Sequence, residues 1–269
     1  DVRAYTRARR AATPVPAAST LNQEFSILRA VFRFSEERYG VSPMHWPRIE
    51  NRSLSDQESR PGFGADEFDA LVRAAYARFR DARRVAVARY LAGGGEESDD
   101  GSHLITEQWR NDPTAWFRYH LCQFVILLGS TGMRPSTLLG LTWAHVEWRE
   151  EHKDYVLHAS TRKGGKRRRV GVVPTQMAQH AIKMLRDVAE SPPPPSAPLF
   201  PIKDFKRSFR NLLKATNLEY DADGRRRTIY SLRHFYITFL IENGVTTAMI
   251  AANTLTSEAM INKYYNHLK

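Results

Sequence analysis

The sequence predicts a mainly α-helical protein with a small antiparallel β-sheet, and three observations support this fold class. Over several long stretches, apolar residues recur three and four positions apart, which is the period of a helix. Two short strand-like stretches flank Gly164 and Gly165, which is typical of a β-hairpin. The composition, with 42% hydrophobic and 26% charged residues among 269, is that of a globular chain.

The first helix is expected over residues 20–38, and Ser19 and Thr20 precede its apolar residues as possible N-cap residues. A polar stretch over residues 50–64 follows and is interpreted as a linker. We therefore predict two unequal domains, at residues 1–56 and 57–269. The apolar positions that predict the first helix are Leu21, Phe25, Leu28, Val31, Phe32 and Phe34.

The larger domain is expected to open with a helix that begins at Ala65 and carries acidic residues in its first turn. Glycines at 93–95 begin a polar stretch that predicts an exposed loop. Residues 115–129 form the most apolar helical stretch of the chain, so a buried helix ending near Gly132 is expected there.

A second turn-to-helix junction follows at Pro135, a residue well suited to the first position of a helix. This places Arg134 at the N-terminus of a helix expected to run to Leu141, where unpaired backbone amides favour an anion. Strands are predicted at residues 155–158 and 170–173, joined by the hairpin Lys163-Gly-Gly-Lys166. The proline-rich run at residues 191–198 predicts an extended connector, and helices are expected from there to the end.

Charge and cysteine content narrow the function classes. The chain has 40 Lys and Arg against 29 Asp and Glu, a net charge of +11, which favours nucleic acid over a membrane as partner. The longest apolar run, residues 124–128, is too short to span a bilayer, and no signal pattern is visible. We therefore expect a soluble, cytoplasmic protein. Cys122 is the only cysteine and excludes an internal disulfide.

The chain begins with Asp1 rather than Met, so we also expect it to be part of a longer protein.

Four short blocks contain residues suited to chemistry at a phosphodiester. Cleaving that bond without a metal requires a nucleophile, cations for the non-bridging oxygens and a proton for the leaving oxygen. Tyrosine, arginine and lysine can supply all three. In chain order the blocks are Thr131-Gly-Met-Arg134-Pro, Arg162-Lys163-Gly-Gly-Lys166-Arg-Arg-Arg169, Tyr230-Ser-Leu-Arg233-His234 and Lys263-Tyr264-Tyr265-Asn-His267.

In this order the four blocks resemble the catalytic domain of tyrosine recombinases of the phage-integrase family. The resemblance implies the recombinase catalytic fold, preceded at residues 1–56 by the C-terminal part of a helical, SAM-like core-binding domain. It also implies site-specific DNA cleavage and rejoining through a 3′-phosphotyrosyl intermediate. No cofactor or metal is expected. The implied partner is double-stranded DNA, on which such a protein would form a homotetramer in the prokaryotic cytoplasm, on the nucleoid.

The resemblance also assigns roles to individual residues. The family pattern of tyrosine, any residue, then histidine matches residues 265–267, which makes Tyr265 the nucleophile and Tyr264 the runner-up. Arg134 and Arg233 would clamp the scissile phosphate, and Lys163 would protonate the leaving oxygen, with Lys166 as its competitor. The other basic residues of the hairpin are expected to bind the DNA backbone: Arg162, Lys166, Arg167, Arg168 and Arg169.

Three positions depart from the commonest family pattern. Tyr230 stands where histidine is usual, and we expect it to hydrogen-bond or orient the phosphate. Thr256 stands where histidine or tryptophan is usual, nine residues before the nucleophile, and its hydroxyl would bind the phosphate only weakly; as a plain structural residue it would be a helix N-cap. Thr137 replaces an acidic residue. His234 matches a frequent arginine-histidine pair of the family, which implies either a minor catalytic role or a buried structural hydrogen bond.

By itself, Arg233 would be an ordinary helix arginine and Tyr230 a packed aromatic residue, so the prediction depends on their combination with Arg134.

Two alternatives for the function remain open from the sequence alone. A type IB topoisomerase would use the same nucleophile to relax supercoils as a monomer. A non-catalytic DNA-binding protein with this fold is also compatible with the substitutions at Tyr230 and Thr256.

Overall fold

In the computed structural model the chain divides into two compact units, Asp1–Glu58 and Ser59–Lys269, each with its own apolar cluster. The residues that the structure describes are 2–14, 16, 18–40, 61–95, 109–163, 166–189 and 192–265. Parts of three predictions therefore lie outside the described residues: the linker before residue 61, the loop after residue 95 and the glycine pair of the hairpin.

The first unit contains helices α1 (Val2–Ala11) and α2 (Ala18–Tyr39). The helix predicted over residues 20–38 is confirmed, but it begins earlier, so Ser19 and Thr20 lie inside it and their N-cap role was wrong. Leu21 and Phe25 are buried at the centre of the unit. The assignment of this unit to a core-binding domain stays a prediction.

Helix α4 (Pro113–Thr131) is the central helix of the second unit, and α3 (Ala65–Ala92) packs along it. The predicted burial of α4 is confirmed, and Cys122 on this helix is fully buried. Asp112 caps its N-terminus by accepting hydrogen bonds from two backbone amides, each 2.9 Å long. Gly132 ends the helix in the left-handed conformation, as the sequence predicts.

Helix α5 (Pro135–Leu139) is shorter than predicted. It ends at Gly140, whose amide donates to the Ser136 and Thr137 carbonyls, so the expected continuation to Leu141 was wrong. The Leu141 carbonyl then accepts a hydrogen bond from the Leu199 amide at 2.9 Å, which ties this segment to the end of the proline-rich run.

The sheet has three antiparallel strands in the order β1 (Val146–Arg149), β2 (Asp154–Lys163) and β3 (Lys166–Val172). The predicted hairpin is confirmed, with Lys163 paired to Lys166 at its tip. Both strands extend further toward the tip than their apolar stretches indicated, because backbone pairing continues through polar residues. Strand β1 was not predicted.

The proline-rich run is not the extended connector that the sequence suggested. The Ala197 amide donates to the Pro194 carbonyl at 2.9 Å, which closes a turn, and Trp143 donates to the Ala197 carbonyl at 3.0 Å. Pro198 then forms an isolated bridge with Thr142. The run therefore folds back on the segment that precedes β1.

The remaining helices are α6 (Gln176–Val188), α7 (Lys206–Ala215), α8 (Ile229–Glu242), α9 (Thr247–Thr254) and α10 (Glu258–Tyr265). They confirm the helical C-terminal region. A small cluster joins the last three, formed by Ile237, Ile250, Ala251, Ile261 and Tyr265. Among the helices described, none has the length and apolarity needed to cross a membrane.

Candidate active site

Arg134 occupies the predicted place at the start of α5. It is the N-cap residue, with the extended backbone angles φ −68° and ψ 139°, and Pro135 is the first helical residue. Its side chain is half-buried, and its Nη1 donates a hydrogen bond to the carbonyl oxygen of Leu255 at 2.9 Å. The side chain thus points toward the end of α9, far along the chain.

Arg233 lies on α8 and is only 6% exposed, which excludes the interpretation of it as a solvated helix arginine. Its Nη1 donates to the Gly132 carbonyl at 2.5 Å and to the Thr254 carbonyl at 2.6 Å. On the same helix Leu232 and Phe235 are buried, whereas Phe239 is 41% exposed.

The two arginines converge on one short backbone segment. Arg233 binds the carbonyl of Thr254 and Arg134 binds the carbonyl of the next residue, Leu255. Consecutive Cα atoms are about 3.8 Å apart, so the two guanidinium groups share one small region. Leu255 adopts the left-handed conformation, with φ +57°, at the C-cap of α9. This conformation turns the chain at the point where both carbonyls are presented.

The positive charge of this pair is not neutralised by carboxylates within the described part of the chain. Burial, and then the neighbouring charge of Arg134, lower the pKa of Arg233 to about 10, and Tyr265 and Tyr230 oppose that shift. At neutral pH Arg233 therefore stays protonated. Two adjacent cations that are held only by carbonyl oxygens form a site for an anion, and arginine suits the oxygens of a phosphate.

Tyr265 lies beside this pair. It is the last residue of α10, its ring belongs to the small apolar cluster of α8, α9 and α10, and it acts electrostatically on Arg233. Its hydroxyl forms a hydrogen bond with Nδ1 of His234. Tyr264 packs partly buried against the same cluster, with the Lys263 ammonium 5.9 Å from its ring centroid.

Tyr230 lies close to Arg233 along the chain, and Thr256 follows Leu255, whose carbonyl binds Arg134. Tyr230 is half-buried on α8, one turn before Arg233, and acts on it electrostatically. The Thr256 amide donates to the Ala251 carbonyl at 3.1 Å. The N-cap role expected of Thr256 is wrong: α10 begins at Glu258, and the Ser257 hydroxyl accepts from the Met260 amide at 3.3 Å.

The hairpin brings its basic residues to the same side of the second unit as α9, because β3 lies beside that helix. The backbone pairs Arg162 with Arg167, and Lys163 with Lys166. Side chains of residues 161–163 and 166–169 lie outside the described part of the structure, as does His267. The roles expected of Lys163, of Lys166 and of the hairpin arginines Arg162, Arg167, Arg168 and Arg169 therefore stay predictions.

A groove of about 790 Å³ adjoins the site, lined by apolar and basic residues, and the sequence did not predict it. Tyr230 and Pro135 line it, next to Arg233 and Arg134 respectively. The signal in the sequence was a set of basic residues spaced three or four apart before and along α7. The basic residues of the groove, called the α7 groove below, are Lys203, Lys206, Arg207, Arg210, Arg226 and Arg227.

Solved structures share this fold at low sequence identity. A XerH site-specific recombinase bound to palindromic difH substrate, in a post-cleavage complex, is 13% identical with a TM-score of 0.60, over 100% of this chain and 69% of that one. The Tn1549 transposon integrase with circular intermediate DNA is 15% identical with a TM-score of 0.57, over 98% and 80%. A lambda integrase tetramer on a Holliday junction is 14% identical with a TM-score of 0.53, over 92% and 59%.

No curated protein sequence matches the chain. The phage integrase family, in contrast, matches residues 108–269, which is more than half of the chain and contains all four blocks that carry the proposed chemistry. The match favours a site-specific recombinase over a topoisomerase or a non-catalytic relative. The chain therefore belongs to the phage integrase family, and it is a tyrosine recombinase that cleaves and rejoins DNA strands.

Proposed function

We propose that Tyr265 is the nucleophile of this recombinase and that Arg134 and Arg233 bind the scissile phosphate. The observation that carries this assignment is the convergence of the two guanidinium groups on consecutive carbonyls, beside the phenol of Tyr265. In the transition state the two non-bridging oxygens carry negative charge, and two fixed cations stabilise that charge without reorganising. Both tyrosine rings contact the apolar cluster of α8, α9 and α10, but it is Tyr265 rather than Tyr264 that acts electrostatically on Arg233.

The reaction proceeds as a transfer of the phosphoryl group between two oxygens. The Tyr265 Oη forms a bond to phosphorus, the bond from phosphorus to the 5′-oxygen breaks, and Lys163 gives that oxygen a proton. Tyr230 donates a hydrogen bond to a non-bridging oxygen, and Thr256 assists weakly. Because the 3′-phosphotyrosyl link retains the bond energy, a 5′-hydroxyl from a partner duplex reverses the step and completes strand exchange.

Double-stranded DNA binds through the α7 groove and the hairpin. The groove supports this because five exposed basic side chains line it, besides the buried Arg227, and Tyr230 connects it to the phosphate site. The net charge of +11 and the DNA-bound state of the similar XerH and Tn1549 proteins support the same partner. By analogy with the lambda integrase tetramer, the protein assembles as a homotetramer on DNA. We place this activity on the nucleoid of a prokaryotic cytoplasm.

A trapping assay tests the nucleophile. The protein is incubated with a library of nicked suicide duplexes, in which the cleaved fragment diffuses away, and a denaturing gel then separates the covalent protein–DNA adduct. We expect an adduct with the wild type and with Tyr264→Phe, and none with Tyr265→Phe. An adduct that persists in Tyr265→Phe would overturn the assignment.

A product assay then separates strand exchange from simple relaxation of supercoils. Sites recovered from the adducts are placed on two plasmids, and the recombinant product is measured together with relaxation. We expect recombinant product. Relaxation alone would contradict the proposal and favour the topoisomerase alternative.

A further inference from the structure

We infer that His234 is the general base that accepts the proton of Tyr265 during the attack on phosphorus. The inference rests on the proposed role of Tyr265 as nucleophile and adds a catalytic group to that reaction. It comes from one contact: Nδ1 of His234 and the hydroxyl of Tyr265 form a hydrogen bond.

The fold places the imidazole where a base is needed. His234 directly follows Arg233 on α8, while Tyr265 ends α10, so one helix supplies both the phosphate-binding cation and the group that contacts the nucleophile. The ring centroids of His234 and Tyr265 are 5.6 Å apart, with the rings tilted by 36°. A candidate base must lie within hydrogen-bond reach of the proton it removes, and His234 meets this condition.

The chemistry requires such a base. A phenol has an ordinary pKa of about 10 and is a weak nucleophile while it keeps its proton at neutral pH. Within the described part of the site the other groups do not serve: Arg233 stays protonated, Arg134 is a second guanidinium, Tyr230 is itself a phenol, and Thr256 is an alcohol. A neutral imidazole has an ordinary pKa of about 6.5 and accepts a proton near neutral pH.

The proton balance is complete. In the resting state Nδ1 is unprotonated and Nε2 carries the hydrogen, so the Tyr265 hydroxyl donates to Nδ1. During cleavage the proton moves from Oη to Nδ1, the bond from Oη to phosphorus forms, and the bond to the 5′-oxygen breaks as Lys163 protonates that oxygen. During rejoining, Nδ1–H returns its proton to the phenolic oxygen. The charge of Arg233 acts on Tyr265 and stabilises negative charge developing on its oxygen.

The first test uses His234→Asn. The Asn side chain can still accept a hydrogen bond from Tyr265, but it does not take the proton. We expect DNA binding within about twofold of wild type, and single-turnover adduct formation lowered on the order of 10²-fold or more. His152→Asn, at an exposed position, is the control and should cleave at the wild-type rate. Cleavage by His234→Asn at the wild-type rate would show that a hydrogen bond suffices and would overturn the inference.

A second test separates the base from the acid. A substrate with sulfur in place of the bridging 5′-oxygen has a leaving group that departs without a proton. We expect this substrate to restore cleavage by Lys163→Ala but not by His234→Asn. Restored cleavage by His234→Asn would indicate that His234 protonates the leaving oxygen, and it would contradict the inference.

A third variant guards against a folding defect. His234→Ala is melted alongside the wild type and then assayed with added imidazole, which can diffuse into the space left by the ring. We expect at least tenfold recovery of adduct formation, with recovery absent in Tyr265→Phe. If the folded His234→Ala variant cleaves normally without imidazole, the inference fails. If the wild type itself forms no adduct, the proposed role of Tyr265 as nucleophile is wrong instead. The two failures are therefore distinguishable.

Discussion

At the scale of single residues, the buried arginine of the site shows how the protein prepares for a polyanion. Arg233 is desolvated and bound to two carbonyl oxygens, and the charged group that acts on it most strongly is the cation Arg134. Burying a charge without a counter-charge costs free energy. In the absence of DNA this cost destabilises the folded protein, and a phosphate bound between Arg134 and Arg233 would remove it. The fold is therefore complementary to an occupied site.

A second buried ionisable residue, His120, has a structural role. Its Nδ1–H donates to the Trp116 carbonyl at 2.9 Å, and its ring lies against Trp116 and Phe200. Burial lowers the pKa of His120 to about 4, although the hydrogen bond to Trp116 opposes that change. The neutral ring is therefore the form that fits the core.

This lowered pKa predicts a loss of stability in mild acid. His120 binds a proton near pH 6.5 in the unfolded chain and only near pH 4 in the folded chain. The contribution of neutral His120 to the free energy of unfolding is therefore complete above pH 6.5 and is lost as the pH falls to 4. Its upper limit is about 3 kcal/mol. In urea unfolding, the difference in unfolding free energy between the wild type and His120→Gln should narrow as the pH falls over this range. His152→Gln should keep the wild-type slope; equal slopes for all three proteins would contradict the prediction.

At the scale of elements, the turn between α4 and α5 fixes both arginines. Gly132 has φ +60°, and its carbonyl accepts a hydrogen bond from Arg233, two residues before Arg134 begins α5. A Cβ atom at Gly132 would overlap the ring of Tyr236 and lie 2.9 Å from Cγ2 of Thr254. The turn therefore requires glycine for its conformation and for the close approach of α8 and α9.

We predict that Gly132→Ala impairs both stability and cleavage. The matched control is Gly244→Ala, because Gly244 has φ +74° and a Cβ added there would meet no atom within 4 Å. The control should cost about 1 kcal/mol of backbone strain and leave cleavage unchanged. Gly132→Ala should cost about 1–3 kcal/mol more through overpacking and lower adduct formation. Equal unfolding free energies for the two variants would rule out the packing constraint.

At the scale of the whole molecule, a partly buried ion pair connects the start of the second unit to the start of α8. Arg227 donates to both carboxylate oxygens of Glu67, at 2.9 and 2.7 Å, and to the Gly62 carbonyl at 2.8 Å. Its guanidinium lies 4.9 Å from the centroid of the Phe63 ring. Residues 62–67 are thereby fixed against the segment that leads into Tyr230 and Arg233.

We predict that Arg227→Met destabilises the second unit by about 3 kcal/mol, because it leaves buried carbonyl groups and a carboxylate without their partner. The value lies at the lower end of the usual range because the Glu67 side chain is 37% exposed and can be rehydrated. The neighbouring Arg226→Met is the control. Its side chain is 48% exposed and should cost less than about 1 kcal/mol in chemical denaturation. A loss as small for Arg227→Met would contradict the structural role.

Local signals in the sequence predicted the parts of the fold that depend on neighbours along the chain. Pro135 after a turn placed Arg134 at a helix N-terminus, and the apolar run of α4 predicted its burial. Long-range contacts gave no such signal. Strand β1 is only four residues long and forms by pairing with β2, and the Leu141 carbonyl is bound by the amide of the distant Leu199.

The same limit applied to the site. The arginines, the tyrosines and His234 could be selected by their type and order, but the partner of each could not. The residue type of Leu255 does not predict a left-handed turn, since leucine rarely adopts that conformation. The approach of His234 to Tyr265 depends on how α8 and α10 pack. The α7 groove likewise depends on where α7 lies relative to Tyr230.

The turn at Leu255 has a consequence for how this recombinase can diverge. Both guanidinium groups are aimed by main-chain oxygens, which every amino acid supplies, so their alignment is encoded in the path of the polypeptide rather than in the identity of nearby side chains. Side chains around the turn can be substituted while the two cations keep their direction, whereas a substitution that removed the bend at Leu255 would misdirect both.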